Sequence, residues 1–183
     1  MPGRTPSEAF KAFIEPIELA ASCLGQVKVV TSPGGRTAPN VEHSWSLNGM
    51  TGFSLHGWHF EGAMAYRLIE DEARGPWRVK TLLYRYRLAV PEHDVFRLHW
   101  HPSGLSPVTY PHLHAALEPR TRMPDALDAH LITNRMTLED ALRWAFELGM
   151  PAARDDWRTR LDEAEAAHLR HRSWVRDPAE ADG

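Results

Sequence analysis

The stretch KTLLYRYRLAVPEHDVFRLHWH, residues 80 to 101, alternates between two kinds of side chain with a period of two. Leu82, Tyr84, Tyr86, Leu88 and Val90 fall on one side, and Leu83, Arg85, Arg87 and Ala89 on the other. Successive side chains of an extended strand point to opposite faces, whereas a helix would scatter the same residues around its circumference. The turn PEHDV then leads into a second strand with Phe96, Leu98 and Trp100 on one side and Arg97, His99 and His101 on the other. The pattern predicts an antiparallel sheet with one apolar face, which needs a cover, and one face rich in arginine and histidine.

The cover is legible on both flanks. Thr5, Pro6 and Glu8 form a helix start, and Phe10, Phe13, Ile14, Ile17, Ala20, Ala21 and Leu24 recur at three- and four-residue spacing up to Gly25. This predicts a helix over 5–24, kinked at Pro16. Thr137 and Asp140 frame a capping box for a helix over 137–148, and an Ala-, Glu- and Arg-rich run predicts another over 154–173. Between them, β-branched and aromatic runs broken by Pro, Gly and Asn predict strands at 27–31, 41–47, 53–60, 63–70, 77–90, 95–101 and 112–117. The expected fold class is α+β: an antiparallel sheet flanked by an N-terminal helix and C-terminal helices, in a single domain spanning 1–183. A chain of 183 residues with 43% hydrophobic and 25% charged residues suits one domain with a proper core.

Composition narrows the chemistry. Cys23 is the only cysteine, which excludes disulfides within the chain and zinc sites built on several thiolates. With a net charge of −3, affinity for an anionic polymer has to come from a local patch. No apolar run approaches the roughly 20 residues of a membrane span, and a cytoplasmic protein is the simplest reading. Arg170, His171, Arg172 and Arg176 near the C-terminus read as a solvated helix end rather than a nucleic-acid contact.

Four of the eleven histidines form two His-x-His pairs, His99/His101 and His112/His114, separated by a Pro/Gly/Ser loop. Each pair is one-sided on a strand. Symmetrical closure of the loop sets His101 opposite His112 and His99 opposite His114, with Trp100 against Leu113 and Leu98 against Ala115 on the other face. Arg85 and Arg87 then lie beside His99 and His101, with Arg97 close by. His56 and His59 in SLHGWHFEG are read as structural, and His130 and His168 as ordinary helix or loop residues.

Three readings of the polar face stay open, of which the sequence favours the last, metal-independent cleavage of RNA. It is an ordinary solvated sheet face, or the groove of a non-enzymatic binding module. It is a metal site in which His99, His101, His112 and His114 supply ligands to Zn or Fe, as His-x-His strands do in cupin-like β folds. Against the metal stand the fixed charges of Arg85 and Arg87 and the lack of a carboxylate, Glu42 and Glu118 lying outside any recognised ligand spacing. Or it performs metal-independent phosphodiester chemistry with no cofactor. One histidine takes the proton of an RNA 2′-hydroxyl and another protonates the leaving oxygen, with His101 and His112 as the exchanging pair. Arg85, Arg87 and Arg97 hold the phosphate, and Tyr110 stacks a base.

Tyr84-Arg85-Tyr86, Phe96-Arg97 and Pro111-His112-Leu113-His114, followed by the helix TLEDALRWAFE, resemble the central strands of the TumE-like toxins of bacterial toxin–antitoxin pairs, over roughly residues 80 to 148. His99-Trp100-His101 and the N-terminal 75 residues depart from that pattern. The resemblance implies an RNase-type toxin acting on RNA, neutralised by a cognate antitoxin protein, with Arg97, His112 and His114 as the residues carried over.

Overall fold

The computed structural model describes residues 2–71, 75–102, 108–115 and 130–170. The elements in chain order are α1 (Pro6–Ala21), β1 (Val29–Thr31), β2 (Glu42–Leu47), β3 (Phe53–Leu55), β4 (Trp58–Asp71), β5 (Gly75–Val90), β6 (His93–Trp100), β7 (His112–Ala115), β8 (Leu131–Ile132), α2 (Leu138–Glu147) and α3 (Trp157–Arg170), with short 3-10 turns after α1 and β2. The strands form one antiparallel sheet in the order β1-β2-β4-β5-β6-β7-β8, and β3 pairs with β4. The α+β class read from the sequence is the one observed. Among the described residues the sheet is open, running from β1 to β8, and the described strands do not close into a cupin-like barrel.

The alternation does what its period requires. Trp45, Leu47, Phe60, Met64, Tyr66, Tyr84, Tyr86, Leu88, Leu98 and Trp100 are buried on one face and join the apolar stripes of α1, α2 and α3 in a single core. Each large side chain so buried contributes about 1.5–3 kcal/mol. The helices are fixed at their starts. Thr5 Oγ1 accepts from the Glu8 N–H at 3.2 Å, while Glu8 reaches back to the Arg4 N–H at 2.8 Å. Thr137 and Asp140 exchange both bonds of a capping box. Tyr84 Oη accepts from the Met136 N–H at 2.9 Å and so ties the start of α2 to the middle of β5.

Several boundaries differ from the sequence reading, most by one to three residues. The strand expected over 53–60 is a tight hairpin that turns at His56 and Gly57, both at positive φ (49° and 85°), as a two-residue turn between strands requires. The second half of that segment runs on without a break into the strand expected at 63–70. Gly62 does not end it: a Cβ there would stand 3.2 Å from Leu47 Cδ1, so the glycine marks close packing rather than a turn. Helix α1 continues through Pro16, which is buried within it. The two-residue strand β8 lies in a stretch with no strand pattern of useful length. Residues 116–117 of the last expected strand and 171–173 of the last expected helix, together with Glu118, His171, Arg172 and Arg176, lie outside the described residues.

Candidate functional site

The face opposite the helices carries a row of side chains across six strands. Ser46 on β2 pairs with Ala63 on β4, Ala63 with Arg85 on β5, Arg85 with His99 on β6, His99 with His112 on β7, and His112 with Ile132 on β8. A second row runs from Glu61 through Arg87 and Arg97 to His114. All eight sequence-derived site residues are therefore near one another, and the four histidines share a face. The register differs by two residues from the symmetrical closure. His99 faces His112 and Arg97 faces His114, while Leu98 meets Leu113 and Phe96 meets Ala115. Arg87 accordingly lies beside Arg97 rather than His101. A two-residue slide keeps every side chain on its face, so the hydrophobic pattern fixes the face but cannot choose between these registers.

The imidazoles form a tight group. His99 lies with its ring centroid 5.6 Å from His112 and 5.2 Å from His114, and His101 lies 5.3 Å from His112. A fifth histidine, His130, joins from the residue before β8, 4.9 Å from His112 and 4.4 Å from His114. Sequence reasoning left it out. Its signal, one histidine two residues before Ile132 in a two-residue strand, is too short to carry a period. Nitrogen atoms of His99, His112 and His114, one from each ring, all lie within 4.8 Å of one another.

Burial and hydrogen bonding bear on the protonation state of two members, His99 and His112. His112 is 1% exposed, and its Nδ1 lies 2.9 Å from the Tyr110 carbonyl. A carbonyl only accepts, so Nδ1 carries the proton and Nε2 keeps the lone pair. Burial pushes the His99 imidazole down to about 4, with the neighbouring histidines and Arg97 adding to the effect. The His112 pKa is also lowered, by burial first, while the bond to Tyr110 opposes the shift. Both rings are neutral at pH 7, the state in which imidazole binds a metal ion. Tyr110 stands edge-on to His112 with ring centroids 6.2 Å apart.

The arginines are distributed differently. Arg87 Nε donates to Asp94 at 2.6 Å and Nη1 to Glu61 at 2.7 Å, and Arg97 is paired with the other oxygen of Asp94. Partial burial disfavours the Arg87 cation, but Asp94 and Glu61 outweigh it and raise its pKa above the ordinary value. Arg85, exposed beside His99, makes no ion pair among the described residues; its Nη2 rests 3.6 Å from Met50 Sδ. Of the two charges that argued against a cation here, that of Arg87 is matched by Glu61 and Asp94, while Arg85 keeps its charge beside His99. Glu42 is exposed opposite Arg67, and His43 faces the core against Tyr66; neither reaches the cluster.

No family model, curated protein or solved structure matches this chain. Among the described residues no helix is long and apolar enough to cross a membrane.

Proposed function

We propose that His99, His112 and His114 hold a divalent transition metal ion and that the polar sheet face is a metal-dependent hydrolytic site for an anionic substrate. The observation that carries this reading is the approach of three imidazole nitrogens, of His99, His112 and His114, to within 4.8 Å of one another. Ligands about 2.0–2.1 Å from a tetrahedral ion stand about 3.3 Å apart, so small rotations of rings that already touch complete the set. An all-nitrogen set suits zinc better than iron, because non-haem iron sites use two histidines and a carboxylate. Three protein ligands leave a further position for water or substrate.

Each neighbour has a task in this scheme. The Tyr110 carbonyl orients His112 and sharpens the basicity of its free nitrogen. Arg85, one strand from His99, binds the substrate anion. Glu61 and Asp94 hold Arg87 and Arg97 and lessen the positive field at the ligands. When bound, the ion supplies a Lewis acid that polarises a carbonyl or phosphoryl oxygen.

Metal-free cleavage of RNA by His101 and His112 is the second reading, favoured by their 5.3 Å ring separation and by the unpaired Arg85. It asks more of the groups present. A histidine whose pKa is held down is a weak proton acceptor, and two of the three phosphate-binding candidates are already committed to carboxylates. The TumE-like resemblance, with RNA and an antitoxin as partners, belongs to this reading.

Elemental analysis of the full chain, followed by RNA and phosphoester turnover with and without chelator, separates the two. About one equivalent of zinc, with turnover lost on chelation, supports the metal centre. RNA cleavage that persists in chelator and vanishes in His112→Ala supports the nuclease instead.

A further inference from the structure

The hairpin that the sequence reading treated as structural carries a second arrangement of reactive groups, at the other end of the same face. Ser54 on β3 pairs with His59 on β4, and Glu61 follows His59 by two residues, so all three side chains stand on one side of the sheet. Ser54 Oγ lies 2.7 Å from His59 Nδ1, and His59 Nε2 lies 3.1 Å from Glu61 Oε1. The same carboxylate oxygen accepts from Arg87 Nη1 at 2.7 Å. An ionised carboxylate only accepts, so His59 carries its proton on Nε2, and its Nδ1 lone pair receives the Ser54 hydroxyl proton. Nucleophile, base and orienting carboxylate are thus linked in order, with the two imidazole nitrogens interchanged relative to the serine-protease arrangement.

This chain of bonds borders a groove of about 410 Å³ whose lining includes the polar Ser54, His59 and Arg87 and the apolar Ala89, Val90 and Pro91. We infer that Ser54, His59 and Glu61 form a nucleophilic acyl-transfer site for small carboxylic esters with a short apolar acyl group.

The hairpin geometry produces the site. His56 and Gly57 close the turn at positive φ, which holds Ser54 and His59 in register one pair beyond Leu55 and Trp58. In the reaction, Ser54 Oγ forms a bond to the acyl carbon while its proton passes to His59 Nδ1, and Glu61 stabilises the resulting imidazolium. The ester C–O bond then breaks, its electron pair stays on the alcohol oxygen, and that oxygen takes the proton from His59. Water repeats the sequence on the acyl-serine, releasing the carboxylic acid and restoring Ser54. Arg87 gives two of its N–H groups to Glu61 and Asp94 and has others to offer the oxyanion from the groove wall.

The test uses a fluorophosphonate probe and p-nitrophenyl butyrate on the full chain, in chelator so that the histidine cluster takes no part. Expected is a stoichiometric mass shift on the peptide containing Ser54, absent in Ser54→Ala and slowed about 100-fold or more in His59→Gln, with thermal melting unchanged. A parallel slowing of butyrate release and a smaller one in Glu61→Gln are expected. A second variant removes dependence on the fold of His59→Gln: the thiol of Ser54→Cys is expected to react with iodoacetamide about tenfold faster than the same thiol in the unfolded chain. Labelling of Ser54 no faster in the wild type than in His59→Gln, or a Ser54→Cys thiol no faster than its unfolded counterpart, overturns the inference.

Discussion

The two ends of the polar face are built from the same residue types and solve their electrostatics in opposite ways. At the hairpin end, His59, Arg87 and Arg97 are each matched to a carboxylate, Glu61 or Asp94, and the hydrogen bonds run from Ser54 through to Arg97. At the β6–β7 end, five imidazoles cluster with no carboxylate among them in the described residues, and burial keeps His99 and His112 uncharged. A matched network orients its members for each other. Uncharged rings such as His99 and His112 keep lone pairs with capacity left for something else, and an electron-pair acceptor is what such a cluster lacks. The difference is why the first end is read as proton-transfer machinery and the second as a metal centre.

The sharpest break in that comparison comes from His112, the most buried of the five rings. His112→Ala is expected to weaken zinc affinity by about 100-fold or more and to cost the metal-free protein about 2–3 kcal/mol of stability from the cavity it leaves. Zinc titration and urea unfolding measure the two losses separately. His101→Ala, which removes a ring outside the closest trio, is expected to change zinc affinity by less than about tenfold.

A pH prediction follows from His99. Its pKa is about 4 in the folded chain against 6.5 for the free group, so between those values the unfolded state binds more protons. Stability of the metal-free protein is therefore present above about pH 6.5 and falls as the pH drops toward about 4, by up to about 3 kcal/mol from this residue. Urea midpoints taken across that window for wild type and His99→Gln check it, the variant showing the flatter profile.

At the hairpin end, Arg87→Met strips Glu61 of one donor and leaves Asp94 to Arg97 alone. About 1–2 kcal/mol of stability is expected to go, because Asp94 is largely buried, and the Ser54 reactivity is expected to fall with it. The smallest effect belongs to Arg97→Gln. The Arg97 side chain is half exposed, so its ion pair is expected to contribute under about 1 kcal/mol. Its removal also raises the His99 pKa slightly, so the acid-induced loss of stability becomes shallower. An acid profile in Arg97→Gln as steep as the wild type's, or steeper, would show that the two ends are not electrostatically connected in this way.

Much of this architecture can be read from alternation alone. Tyr84, Tyr86, Leu98 and Trp100 announce the buried face, and Arg85, Arg87, Arg97 and the two His-x-His pairs announce the other, because a strand's period of two leaves no freedom about sides. The helix starts at Thr5 and Thr137 are equally local. What lay beyond the sequence depends on pairing between distant segments. The register of β6 against β7 is free to slide by two residues, and the arrival of His130 rests on a strand two residues long. The carboxylates that occupy Arg87 come from β4 and from the start of β6, and only the assembled sheet brings them together. The Ser54–His59–Glu61 chain is the instructive exception. All its members lie within eight residues, but two histidines on opposite faces of an assumed single strand concealed the turn between them.

The central claim, that His99, His112 and His114 at the β6–β7 end form a metal centre, is tested most directly by zinc binding to the tag-free full chain after chelation and dialysis, with His99→Ala alongside. Expected is uptake of about one equivalent by the wild type at pH 7.5, falling as the pH drops toward about 4, where His99 takes up a proton, and under about a tenth of an equivalent in the variant at pH 7.5 and the same zinc concentration. Equal zinc uptake by wild type and His99→Ala, or none by either, contradicts it.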